Sequence, residues 1–190
     1  MVEHRLPGKH VAFLVANQGT EQVELTDPWN AVLSQGARAS LVAPAAGFAQ
    51  LHHGLALGDR VAIDDVTERA RAEDYDAVVL PGGVVGPDLL RRDAATVDFL
   101  MAMFEKGKPV AAVSAGSRPL IDGDLVGGRT VTSEPGIQTA LRNAGAIWVD
   151  EKVVVCRVGI NVLITGRQPS DLGAFCATMT RAFSEPPLER

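Results

Sequence analysis

Short unbroken apolar runs alternate along this chain with stretches of helical periodicity. The runs at residues 11–15, 40–43, 77–80, 110–113 and 161–165 show no polar alternation, the pattern of strands covered on both faces. Between them, residues 21–35, 94–106, 137–144 and 170–183 space their apolar side chains three and four apart and predict helices. Gly36, Gly107 and Gly145 close three of these, where a residue able to take positive φ is wanted. Strand and helix in this order predict an α/β fold: a doubly wound, mostly parallel sheet sandwiched by helices, flavodoxin-like, with right-handed crossovers. Two stretches depart from the pattern. Residues 45–60 carry Gly47, Gly54 and Gly58 with weak periodicity and predict an irregular excursion or hairpin. Residues 153–157 and 160–165, with Gly159 between them, predict a β-hairpin before the last helix.

No repeat, low-complexity tract or Pro/Ser-rich linker divides the pattern, so residues 1–190 are expected to form a single domain. A chain of 190 residues, 46% hydrophobic but only 5% aromatic, builds its core from Val, Leu, Ile and Ala and needs no disulfide or metal to fold. Its net charge of -5, with Lys and Arg scattered, offers no basic field and argues against a nucleic-acid partner. The first ten residues are mixed with charge and the apolar run after them is short, which predicts neither a signal peptide nor a membrane span. Two cysteines, Cys156 and Cys176, suit reduced cytoplasmic usage.

In open α/β sheets ligands bind beyond the carboxyl ends of the strands, so the residues just after each strand carry the candidate chemistry. Three such stretches stand out: 17–24, 81–84 and 114–117. The last lies in Ala112-Val113-Ser114-Ala115-Gly116, a small-x-Ser-x-Gly turn from strand to helix that resembles a nucleophile elbow. Such a turn aims its side chain into the pocket, with strained or sparsely populated backbone angles, and a following helix N-terminus offers N–H groups to an anion. A serine nucleophile needs a base, however, and His4, His10, His52 and His53 all precede Ser114, against the order that an α/β-hydrolase requires. A helix-capping Ser is the alternative. Gly82 and Gly83 let the backbone approach a ligand and present N–H donors to an oxyanion, or serve the turn alone. No dinucleotide or phosphate-loop fingerprint occurs, so no cofactor is implied.

Glu21 and Glu24 share a face of the first helix. Glu21 suits a first-turn acid that complements the helix dipole, and it can also face the pocket. Glu24, one turn further in among Val23, Leu25 and Trp29, is placed for partial burial, which raises a carboxyl pKa and permits proton transfer near neutrality. His52 and His53 are adjacent, without metal-ligand spacing and without an acidic or Cys partner set; they are solvated loop residues or part of the pocket lining. No metal site is expected.

Taken together the chain resembles the DJ-1/PfpI family of the class I glutamine-amidotransferase-like superfamily. The carriers are Val-Ala-Phe-Leu-Val-Ala at 11–16, Glu-Gln-Val-Glu-Leu at 21–25, Asp-Ala-Val-Val-Leu-Pro-Gly-Gly at 76–83, Gly-Lys-Pro-Val-Ala at 107–111, Thr-Ser-Glu-Pro-Gly at 132–136, Arg-Asn-Ala-Gly-Ala at 142–146 and Arg-Gln-Pro-Ser-Asp-Leu at 167–172. The resemblance implies a nucleophilic Cys at the elbow, followed by His-Gly-Pro and paired with a Glu from the first helix. Carried over by position, the Glu is Glu24, the oxyanion backbone is Gly83 and Ala115, and the nucleophile position holds Ser114. Ala115 stands in place of the His, and Ser117 and Arg118 follow. A hydroxyl is not driven to its anion as a thiol of pKa about 8.5 is, so thiol-dependent peptidase, deglycase and glyoxalase activities are expected to be lost. The pocket is expected to comprise Glu21, Gly82, Arg118, Glu134, His52 and His53 around that pair. The expected function is a cofactor-independent enzyme, a lyase or hydrolase working by acid/base chemistry on a small carbonyl-containing metabolite. The alternatives are a catalytically silent ligand-binding or stress protein and a Ser-dependent hydrolase. The resemblance also implies a homodimer.

Overall fold

The computed structural model describes residues 5–186; His4 and both extremities of the expected 1–190 domain lie outside them. The chain opens with β1 (His10–Leu14), β2 (Gln18–Glu21) and α1 (Gln22–Ser34), and returns through β3 (Arg38–Ala43). An antiparallel hairpin of β4 (Phe48–His53) and β5 (Ala56–Ala62) follows, then β6 (Asp65–Val66), β7 (Ala77–Leu80), α2 (Gly86–Leu90), α3 (Ala94–Glu105) and β8 (Val110–Val113). The second half holds α4 (Arg118–Asp122), β9 (Thr130–Val131), α5 (Gln138–Asn143), β10 (Ile147–Trp148), β11 (Val153–Cys156), β12 (Leu163–Gly166) and α6 (Leu172–Ser184).

Seven strands form the central sheet in the order β11-β12-β8-β7-β1-β3-β6. Every pair is parallel except β11 with β12, so the predicted hairpin supplies one antiparallel edge of an otherwise parallel sheet. Three of the unbroken apolar runs become strands buried along their whole length: all four residues of β7, β8 and β12 are buried. Alternate side chains then feed two separate cores. Ala12 and Leu14 of β1 join Leu100 and Met103 of α3 on one face; Val11, Phe13 and Val15 join Leu25 and Val32 of α1 with Phe175 and Met179 of α6 on the other. This is the expected sandwich, and its two-sided burial explains why the strand sequences carry no polar alternation.

Three differences from the sequence-based expectation concern local pairing. Residues 45–60 form part of a hairpin, one of the two forms expected there, but its first strand also pairs in parallel with β2, so His52 and His53 belong to β4 and not to a loop. The last core strand begins at Leu163 rather than at residue 161. The elbow does not lead straight into an α-helix: a 3-10 turn over Ser114–Ser117 precedes the five residues of α4, so no long helix dipole points at the elbow. No helix among the described residues is long and apolar enough to cross a membrane.

Candidate active site

The carboxyl ends of β7, β8 and β12 and the start of α1 converge on one cavity of about 540 Å³, in the range of small-molecule sites. Glu21, Glu24, Gly83, Ser114, Ala115, Arg118 and Glu134 line it, together with Val84, Pro135, Gln168 and Pro169. Gly82 is not on the wall but shapes it from behind, while His52 and His53 lie outside the lining. His52 is instead the register neighbour of Glu21 across β2 and β4. Both histidines sit in β4 of the small sheet, which pairs with β2 and with β5.

Ser114 occupies the elbow with φ of 56°, a left-handed conformation that costs a non-glycine residue about 1–3 kcal/mol. The expected strain is present. Val113 before it is extended, and the sharp change of direction after a buried strand places Ser114 at the cavity, where only 9% of its surface is exposed. Pro81-Gly82-Gly83 faces it from the end of β7. The Gly82 carbonyl accepts a hydrogen bond from Glu21 N–H (3.1 Å), which ties this turn to the start of α1. A Cβ on Gly82 would run into Glu24 Oε2 and lie 3.0 Å from Ser114 Cβ. Gly83, with φ of 128°, would push a Cβ into Gly19 O and the Glu21 N–H. Only glycines allow these three segments to approach so closely.

Glu24 is 2% exposed, and its Oε2 is buried with no hydrogen-bond partner among the described residues. Burial is the main cause that raises its pKa from the ordinary 4.5 to about 7. The Gly82 backbone and the Ser114 hydroxyl act the other way, favouring the ionised form, and the carboxylates of Glu21 and Glu134 push it up again. Neither Gly82 nor Ser114 completes a bond of good geometry to Oε2. The helix turn that carries Glu24 is also loosened, because Pro28 inside α1 has no N–H to offer the carbonyl four residues back.

Glu21 and Glu134 are each held by a backbone donor: Glu21 Oε2 accepts from Gly54 N–H (2.8 Å) and Glu134 Oε2 from Gly136 N–H (3.3 Å). Sequence reasoning missed Gln168 and Pro169, although the rule that finds residues just past a strand applies to β12 as it does to β8. Neither cysteine touches the cavity. Cys156 is buried at the end of β11, and burial within α6 pushes the Cys176 thiol up to about 12. Among the described residues no three His, Cys, Asp or Glu side chains are grouped to hold a metal ion.

The fold and site together define an α/β sandwich with a buried carboxyl facing a strained strand-to-helix elbow. The DJ-1/PfpI family profile matches residues 9–182, and the chain belongs to that family. Among curated proteins it is 37% identical over 167 residues to a Bacillus subtilis (strain 168) protein named "Putative cysteine protease YraA", covering 88% of this chain and 94% of that one. It is 35% identical over 165 residues to "Deglycase PH1704" of Pyrococcus horikoshii, covering 87% and 93%. A solved two-domain protein from Anabaena variabilis with DJ-1/ThiJ/PfpI-like and ferritin-like domains superposes with a TM-score of 0.83 at 35% identity, over 91% of this chain and 47% of that longer one.

Proposed function

We propose that the protein is a cofactor-independent enzyme acting on a small carbonyl-containing metabolite by hydration or dehydration, proton transfer or hydrolysis. Glu24 carries the proton in this reading. The observation that supports it most is the buried Glu24 carboxyl, with one oxygen unpartnered and a pKa of about 7, opening with Ser114 onto a single cavity. A group that titrates near the working pH is populated in both protonation states, as general acid/base catalysis requires. The Ser114 hydroxyl and the backbone N–H groups of Gly83 and Ala115 hold the oxyanion that develops when the carbonyl is attacked or enolised.

Relatives carry the names deglycase and cysteine protease, and thiol chemistry at this elbow is not part of the proposal. Ser114 has no sulfur, and surroundings that make a thiolate do not ionise a serine hydroxyl. Purified protein is therefore expected not to turn over methylglyoxal; robust turnover would show that the elbow residue does not decide the activity.

The test of the acid/base reading is a turnover screen of small carbonyl compounds, followed by two substitutions. Glu24→Gln keeps the shape and removes the titrating group, and is expected to lower activity about 10²- to 10⁴-fold. Ser114→Ala is expected to cost less, because backbone donors remain. The reverse ranking favours a Ser-dependent hydrolase. Ligand binding without any turnover by the unsubstituted protein favours a catalytically silent binding protein and ends the enzyme reading.

A further inference from the structure

Four of the described arginines are buried or partly buried, Arg91, Arg118, Arg129 and Arg167, and the others are exposed. Three are held. Arg91 bonds Asp88 and Asp122 (2.6 and 3.3 Å), Arg129 bonds Asn161 Oδ1 (2.6 Å), and Arg167 bonds Asp150 and Asp171 (2.8 and 2.9 Å). Arg118 has neither a hydrogen bond nor an ion pair among the described residues. Its charge is felt at Asp88, a carboxylate that Arg91 and Arg92 already occupy. Yet Arg118 lines the same cavity as Glu24 and Ser114. The cavity carboxylates do not neutralise it: Glu21 and Glu134 take backbone N–H groups instead, and no ion pair joins either to Arg118. A half-buried guanidinium without an internal partner presents its fork of donors to an anion from outside, and a carboxylate matches that fork.

We propose that Arg118 binds a carboxylate of the substrate, so that the site takes short-chain oxo monocarboxylic acids; this rests on the acid/base reading of Glu24. Arg118 follows Ser114 by four residues on one continuous turn, so a ligand that reaches from the guanidinium to the elbow hydroxyl is short. The carboxylate anchors at Arg118 while the carbonyl faces Ser114 and Glu24. Glu21 and Glu134 border the same space and repel a second negative charge, which restricts the ligand to one carboxylate.

The experiment is calorimetric titration of the full chain with pyruvate, acetoacetate, pyruvamide, ketomalonate and ethylamine. It is done for the unsubstituted protein and in a Glu24→Gln background, where turnover does not disturb the equilibrium. At least one of pyruvate and acetoacetate is expected to bind. Arg118→Gln is expected to weaken that binding roughly 10- to 100-fold, the scale of a charge-assisted bidentate pair, with the melting temperature held within a few degrees. Arg118→Lys should recover part of the loss. Pyruvamide is expected to bind no better to the unsubstituted protein than to Arg118→Gln, and ketomalonate to bind about 10-fold more weakly than the monocarboxylate. The inference is overturned if neither acid binds, if Arg118→Gln leaves binding unchanged, if the neutral amide or the dicarboxylate binds as well as the acid, or if ethylamine alone binds. Failure of the acid/base reading has a different signature: Glu24→Gln would keep full turnover while binding still depended on Arg118.

Discussion

At the scale of single residues, the Glu24 carboxyl is the group in the site that folding disturbs most, and the sign of that disturbance can be worked out. Its pKa rises from 4.5 to about 7 on folding, so the folded state prefers the protonated form. Below the unfolded value both states are protonated and nothing is lost. As pH climbs from 4.5 through about 7 the unfolded carboxyl ionises first, and above that range the buried charge costs about 3–4 kcal/mol at ~1.4 kcal/mol per pKa unit. Glu24→Gln removes the penalty. The variant is expected to melt close to the parent at pH 4 and roughly 7–14 °C above it at pH 8. Equal shifts at both pH values in calorimetric melts would mean that the carboxyl is not held neutral by burial. The same side chain thus trades stability for a proton poised near neutrality, and Ser114, at φ of 56°, trades backbone strain for its place at the cavity. That Glu24 would be buried was legible in its apolar neighbours; that one of its oxygens finds no donor was not, because this depends on the turn at Gly82, nearly sixty residues away.

At the scale of elements, α3 shows how one side chain fixes a helix to the segment that follows β6. Asp93 caps it by accepting from Thr96 N–H (2.9 Å), and the same oxygen accepts from the hydroxyls of Thr96 (2.6 Å) and Thr67 (2.9 Å). Both threonines are buried, so removing the carboxylate leaves two hydroxyls without this acceptor as well as an uncapped helix. Asp93→Ala is expected to cost about 2 kcal/mol in urea denaturation with an unchanged slope. A loss below ~0.5 kcal/mol would show that water replaces the cap. The start of this helix at residue 94 was readable from sequence, as were the five core strands and the stops at Gly36, Gly107 and Gly145, all with positive φ. The elements that escaped sequence reading include the strands β2, β6, β9 and β10, two to four residues long, and the five-residue α2. Strands this short have no periodicity of their own and exist through their partners, as β2 does through β4.

At the scale of the whole molecule, the resemblance to DJ-1/PfpI proteins implies a homodimer, the commonest closed assembly, and light scattering at micromolar protein is expected to return twice the mass of the 20.0 kDa chain. A monomer mass would overturn the expected dimer. The sequence alone determined the layered architecture, because unbroken apolar strands have only one stable environment, between two layers of helix, and a parallel order needs crossovers that supply those layers. It also marked Glu24, Gly83 and Ser114, since the carboxyl ends of such strands are where an open sheet leaves room for a ligand, while Arg118 entered through the family resemblance. Only the tertiary structure decided which marked residues meet. It left His52 and His53 outside the cavity lining, on a strand paired with β2, and it brought in Gln168 and Pro169 from beyond β12. It also left Arg118 in the cavity without an internal partner. Such outcomes depend on register and on contacts between segments remote in sequence, and local patterning carries no information about either.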